Sequence, residues 1–258
     1  MKYRLTLFLI LASLAFSVFA ASESECQFAQ WTRYKNTQLK SHPSNSAYLF
    51  TATQMRVDAD GAPNAYHPDD IGLDYIANAG YPNTSWWSDV LVADPENPYR
   101  AYTQTSGKYA GYFISKTSLQ DRAKPVTDVS RYVDATIIPY LVFPGSFLKM
   151  KGTGRLGDLG IAINLASGES SPFVVADIGP SDAHLGEVSL ALAEALGGAY
   201  VNPKNGAGTP KGKVLYVIFP NSSRNYTWPL SGNEIERAAN TLLQQVGDTA
   251  SIRTCADS

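Results

Sequence analysis

A chain of 258 residues, 44% hydrophobic and 17% charged, can form one packed domain, and it carries no low-complexity segment or solenoid repeat. Its formal net charge of −2 supplies no basic footprint for nucleic acid. Two cysteines and three histidines at these spacings make no zinc motif, and no metal or organic cofactor is expected.

Residues 1–20 read as a secretory signal peptide. Lys2 and Arg4 precede the apolar run LTLFLILASLAFSVF, and VFA places small residues before Ala21. The rival reading, an uncleaved anchor helix, lacks stop-transfer charges. No cysteine follows directly, which argues against a lipid anchor, and no other run is long enough to span a bilayer. The expected location is therefore secreted, extracellular or periplasmic. Losing Lys2 and Arg4 takes the 21 Lys and Arg to 19 against 23 Asp and Glu, a net charge of −4. Such a surface suits a cationic polymer, and it is equally a common solubility charge. Cys26 and Cys255 lie near the two mature ends, and an oxidising compartment favours a clasp between them.

In chain order, residues 21–50 read as a polar arm laid over the core. Met55–Val57 reads as a short strand and ADGAPN as a turn. Residues 71–98 are loop-rich, with a helical turn at Asp74–Ala79 stopped by Gly80. GYFISKTSL and YVDATIIPYLVF read as strands, with Pro139 at an edge or bend. GDLGIAINLASGESSPFVVAD reads as two strands joined by a turn. Gly186–Leu196 reads as a helix, and VLYVIFP as a buried strand. SGNE is a capping box that opens the last helix, expected over 232–246. The expected class is mainly β with a few helices (α+β), in a single domain over 21–258 with its core at about 130–220. Regular βαβ alternation is missing.

GDLGIAINLASGESSPFVVADIGP followed by GEVSLALAEALG, over 157–197, resembles the core of double-psi β-barrels, as in lytic transglycosylases of the rare lipoprotein A type. DADGAPNAYHPDDIGLDYIANAGYP, YVDATIIPYLVFP, GDLGIAIN and VADIGP…GE…LAEALG, over about 55–220, resemble fungal-type chitosanases of glycoside hydrolase family 75 and their bacterial relatives. That resemblance implies endo-hydrolysis of β-1,4-linked glucosamine polymer, with inversion, by one Asp and one Glu. They map onto Asp177 and Glu187. The loop IGPSDAHLG between them departs from the longer, Asn-, Asp- and Gly-rich fungal loop, which leaves substrate identity less constrained than the pair.

Glycoside hydrolysis needs one carboxyl group to protonate the leaving oxygen and another to activate water or attack. Asp177 ends an apolar run, where burial raises a carboxyl pKa. Glu187 in a first helical turn would be held as the anion by the helix dipole. On that logic Asp177 is the acid and Glu187 the base, and one cation beside Asp177 would reverse the roles. Both residues also suit a purely structural turn and helix start.

Asp58 and Asp60 could bind a sugar ammonium or a cation, or simply form an Asp-Gly turn. An EF-hand fails because Ala62 and Pro63 occupy needed positions. Asp134 is either a sugar contact or a buried partner of Arg131. Of Trp86 and Trp87, which would point opposite ways in a strand, Trp86 is assigned to a cleft wall where rings stack on sugars. His184 is a substrate contact or a surface residue. The expected partner is a cationic, chitosan-like polysaccharide substrate of a monomeric protein, with no nucleic acid and no membrane after signal cleavage. The alternatives are a peptidoglycan-acting transglycosylase, which needs only one acid/base residue, and a non-catalytic glycan-binding module.

Overall fold

Residues 214–219, VLYVIF, are apolar and buried at every position, which demands neighbours on both edges and cover on both faces. The computed structural model describes residues 26–256, so the signal-peptide segment lies outside it. Its strands are β1 (Ala29–Tyr34), β2 (Thr37–Ser41), β3 (Tyr48–Ala52), β4 (Arg56–Asp58), β5 (Ala93–Asp94) and β6 (Asn97–Ala101). They continue with β7 (Tyr140–Pro144), β8 (Leu159–Asn164), β9 (Ser170–Gly179), β10 (Glu187–Ser189) and β11 (Val214–Phe219). Nine form one sheet in the order β1-β2-β3-β11-β8-β9-β7-β10-β4, and β5 pairs with β6. The VLYVIF strand is thus enclosed between β3 and β8, antiparallel to both. Five helices are short or peripheral: α1 (Trp87–Val90), α2 (Gly145–Leu148), α3 (Leu190–Ala195), α4 (Gly232–Leu243) and α5 (Thr249–Arg253). The mainly-β expectation holds.

The double-psi core is not confirmed. Among the described residues no pairing joins β1 to β4, and the sheet stays open. The far edge is weakly laddered: β10 and β4 have three residues each, and β10 meets β7 at the single pair Val188↔Leu141.

Four other expectations change. The N-terminal arm is instead three sheet strands, because Leu39, Tyr48, Leu49 and Phe50 are core residues. It looks polar because β1 is an edge strand with only Tyr34 buried. YVDATIIPYLVF becomes strand only from Tyr140. Asp134 folds the preceding segment into a turn, its Oδ1 accepting from Thr136 N at 2.8 Å and Thr136 Oγ1 at 2.6 Å. GYFISKTSL forms only isolated bridges, at Phe113 and Ser115.

The expected helix from Gly186 splits into β10 and α3. Gly186 sits at φ 112°, and a Cβ there would lie 2.8 Å from Gln54 O, so the chain can be neither helical nor side-chain-bearing at that point. Ser189 then caps α3, its Oγ accepting from Leu192 N at 3.1 Å.

The C-terminal reading survives. Ser231 and Glu234 form the capping box of α4, and Ile235, Ala238, Ala239 and Leu243 are its buried face, packed on β8 and β9. Cys26 and Cys255 are bridged across 229 residues. Mutating Cys26→Ser should therefore lower unfolding free energy by about 2–4 kcal/mol, measured by denaturant titration against wild type. An unchanged midpoint would show that the clasp constrains nothing.

Candidate active site

Asp177 owes its position to a defect in the sheet. Along the parallel β7–β9 pair, Leu141 faces Val175 but Val142 faces Asp177, so Ala176 is an extra residue. A bulge of this kind re-aims the following side chain. Here it turns Asp177, 7% exposed, out of a buried apolar run and into a cleft. The segment after Ser115 is tied to the same bulge: Leu119 N donates to Ala176 O at 2.8 Å. That tie sets Ser118 over Asp177. Ser118 N at 2.8 Å, Ser118 Oγ at 2.6 Å and Ile178 N at 2.8 Å all donate to Asp177 Oδ1.

Glu187 opens β10, which runs parallel to β4 with Glu187 beside Arg56 and Ser189 beside Asp58. Ser189 anchors this strand from below, accepting from Tyr140 N and donating to Ile138 O, both at 2.9 Å. Since Glu187 lies in a strand, the helix-dipole argument for its charge falls away.

The turn after β4 supplies two more acids. Gly61 is needed there: at φ 80°, a Cβ would come within 2.0 Å of Val133 O. Asp58 Oδ2 accepts from Tyr140 Oη at 3.0 Å, and Asp58 Oδ1 accepts from Asp60 N at 2.9 Å. Asp60 Oδ1 accepts from Ser115 Oγ at 2.9 Å, and Tyr66 also bonds Asp60. One oxygen each from Asp58, Asp60 and Asp177 lie within 4.8 Å of one another. That donor set would suit a hard cation by charge. Ser, Tyr and backbone donors hold both oxygens of Asp58 and the Oδ1 atoms of Asp60 and Asp177.

The cleft holds about 940 Å³. Asp58, Asp60, Asp74, Asp89, Asp177 and Glu187 line it, against the cations Arg56 and Lys204. Trp86, 44% exposed, is on the wall, whereas Trp87 packs edge-on to Tyr81 with ring centroids 5.3 Å apart. His184 is exposed and lines a neighbouring groove with Gln54 and Leu185. Asp134 is outside the cleft in its turn, and Arg131 bonds Gln120 at 2.6 Å and Lys124 O instead.

Burial raises the pKa of all four central carboxyl groups, and their mutual repulsion adds to it for Asp58, Asp60 and Glu187. At Asp177 the three donors and the nearby Lys116 pull the other way. At Glu187 Asp177 raises the pKa further, and Arg56 opposes it. Lys116 is itself desolvated, which lowers its pKa, and it donates to Ser88 O. Ser115, Lys116, Ser118 and Tyr140 were missed in the sequence because a lone hydroxyl or lysine in an apparent strand carries no local mark of the carboxylate it will meet.

A raised folded-state pKa contributes stability that is fully present below the ordinary aspartate value of about 4 and is lost as pH rises through the folded value. For Asp58→Asn the amide keeps both bonds, with Oδ1 accepting from Asp60 N and Nδ2 donating to Tyr140 Oη. Its Tm should therefore fall less than wild type's as pH is raised from mildly acidic to neutral. Parallel Tm-against-pH curves for the two proteins would refute the repulsion.

No curated protein matches the chain with significance. The model of the family described as fungal chitosanase of glycosyl hydrolase group 75 matches residues 55–249, which include every acid of the cleft and the elements that aim them. This chain belongs to glycoside hydrolase family 75.

Proposed function

We propose that the protein is a secreted endo-chitosanase that cleaves β-1,4 bonds of glucosamine-rich chitosan by inversion, with Glu187 as general acid and Asp177 as general base. The observation that carries the assignment is the unequal environment of two desolvated carboxyls in one cleft. Three hydrogen bonds to a single oxygen, with Lys116 close by, favour the Asp177 anion. Glu187 is desolvated and repelled by Asp177, which favours its protonated form. An ionised base beside a protonated acid is the starting state that glycoside hydrolysis requires. This reverses the roles expected from sequence, on the condition stated there, a cation beside Asp177.

The substrate class follows from charge. With Glu187 protonated, the cleft still sets five acids against two cations, which favours a polycation over an anionic glycan. Asp58 and Asp60 would receive the ammonium of the sugar next to the scissile bond, and the exposed Trp86 ring would stack on a sugar face. The bond is broken by protonation of the leaving oxygen from Glu187, while Asp177 takes a proton from the attacking water. The proton lost from Glu187 is replaced by the one gained at Asp177, so the enzyme resets by proton exchange with solvent. Secretion is supported by the leading apolar segment and by the bridge between Cys26 and Cys255. Among the described residues no helix is long and apolar enough to cross a membrane.

Purified protein should release short glucosamine oligomers from chitosan, with the α-anomer appearing first by NMR. Glu187→Gln and Asp177→Asn should each lose about 10²–10⁴-fold in rate, with Tm at or above that of wild type. Anhydro-sugar products from peptidoglycan sacculi, formed equally by Glu187→Gln, would replace the reading with a transglycosylase. In the pH profile, Lys116→Met removes a charge that lowers the Asp177 pKa, so the acidic limb of kcat/KM should move to higher pH. An unmoved acidic limb would remove Asp177 from the role of base.

A further inference from the structure

The catalytic cleft does not end at its own walls. Met55, Arg56, Asn205 and Gly206 line both it and a second groove of about 460 Å³, within the range of sugar-sized ligand sites. The two depressions meet across that saddle, and the loop through 203–212 walls both. A linear polymer lying in the cleft and crossing the saddle enters the second groove.

The charge changes sign on the way. The cleft is lined by six acids. The second groove has none: Arg56 and Lys211 are its charged residues. Both are exposed, and Lys211 has no ion-pair partner among the described residues. Thr209, Gln54 and Asn205 add neutral hydrogen-bonding groups. Tyr216 forms part of the wall, and its buried hydroxyl has no hydrogen-bond partner among the described residues.

We infer that this groove is a distal subsite that takes an N-acetylated sugar unit and disfavours a free amino sugar. The inference rests on the chitosanase reading and deepens it. A glucosamine unit would bring its ammonium against Arg56 and Lys211 without a carboxylate to receive it. An acetylated unit is neutral; its amide N–H can donate to Thr209 Oγ1, whose own proton goes to Gly206 O, and its C=O can accept from the side-chain amide N–H of Asn205 or Gln54. The enzyme therefore reads the acetylation pattern of chitosan at a distance, requiring amino sugars in the acidic cleft and favouring an acetylated one beyond the saddle.

The test compares wild type with Lys211→Glu on fully deacetylated and on partly acetylated chitosan, with KM measured and the products sequenced by mass spectrometry. Wild-type products should carry acetyl groups enriched at one fixed position, outside the two sugars that flanked the cleaved bond. Lys211→Glu should erase that enrichment and lower KM on the fully deacetylated polymer by about two- to fivefold, the scale of one exposed charge interaction. Acetyl groups distributed at random in wild-type products, or an enrichment that Lys211→Glu leaves intact, would overturn the subsite while leaving the hydrolase reading in place. Failure of wild type to cut either polymer would overturn both.

Discussion

Asp58, Asp60, Asp177 and Glu187 are withdrawn from water around one cleft, and each raises the free energy of having the others ionised. The rest of the molecule is arranged to tolerate this. Hydrogen bonds to a charged group contribute about 1.5–3 kcal/mol each, and this site directs to its acids the hydroxyls of Ser115, Ser118 and Tyr140 and several backbone N–H groups. These donors are in turn fixed by the frame. Tyr140 begins a fully buried strand, and the segment carrying Ser118 is pinned to the bulge at Ala176. The remaining cost is offset by the apolar core of β3, β11, β8 and β9, where each fully buried large side chain contributes about 1.5–3 kcal/mol.

The donors are not shared evenly, and on the proposed mechanism this inequality is what separates acid from base. Two carboxyls in identical surroundings would titrate alike and could not divide the work of acid and base. Asp177 lies at the end of a long central strand, within reach of Ser118 and Lys116. Glu187 lies on a three-residue strand near the sheet edge, where Arg56 is the opposing cation. The contrast comes from strand order: the bulged β9 and the short β10 flank β7, so their acids reach one cleft from differently satisfied backbones.

The edge also explains how the cleft meets a second, oppositely charged groove. β4 is the last strand of the sheet, and the residues leading into it, Met55 and Arg56, form the saddle. Among the described residues nothing further pairs with β4, so the loop through Asn205 and Gly206 can stand opposite it and leave both depressions accessible.

Much of this was legible in residue order. The run at 159–164 read as a strand and that at 214–219 as a buried strand, the Ser231–Glu234 spacing marked a helix start, and the two cysteines allowed one pairing. Asp177, Glu187, Asp58 and Asp60 stood out because local pattern placed acids at strand ends and turns, and the segments around them resembled a known family. Local pattern failed where a distant contact overrode it. Gly186 and Ser189 turn an apparent helix into a strand and a shorter helix, and Asp134 spends its side chain on a turn. The sequence by itself determined the β-rich class, the family and the acids. Only the tertiary structure decided how differently the two acids are held, because Ser118 and Lys116, about 60 residues away in the chain, meet Asp177 across a bulge.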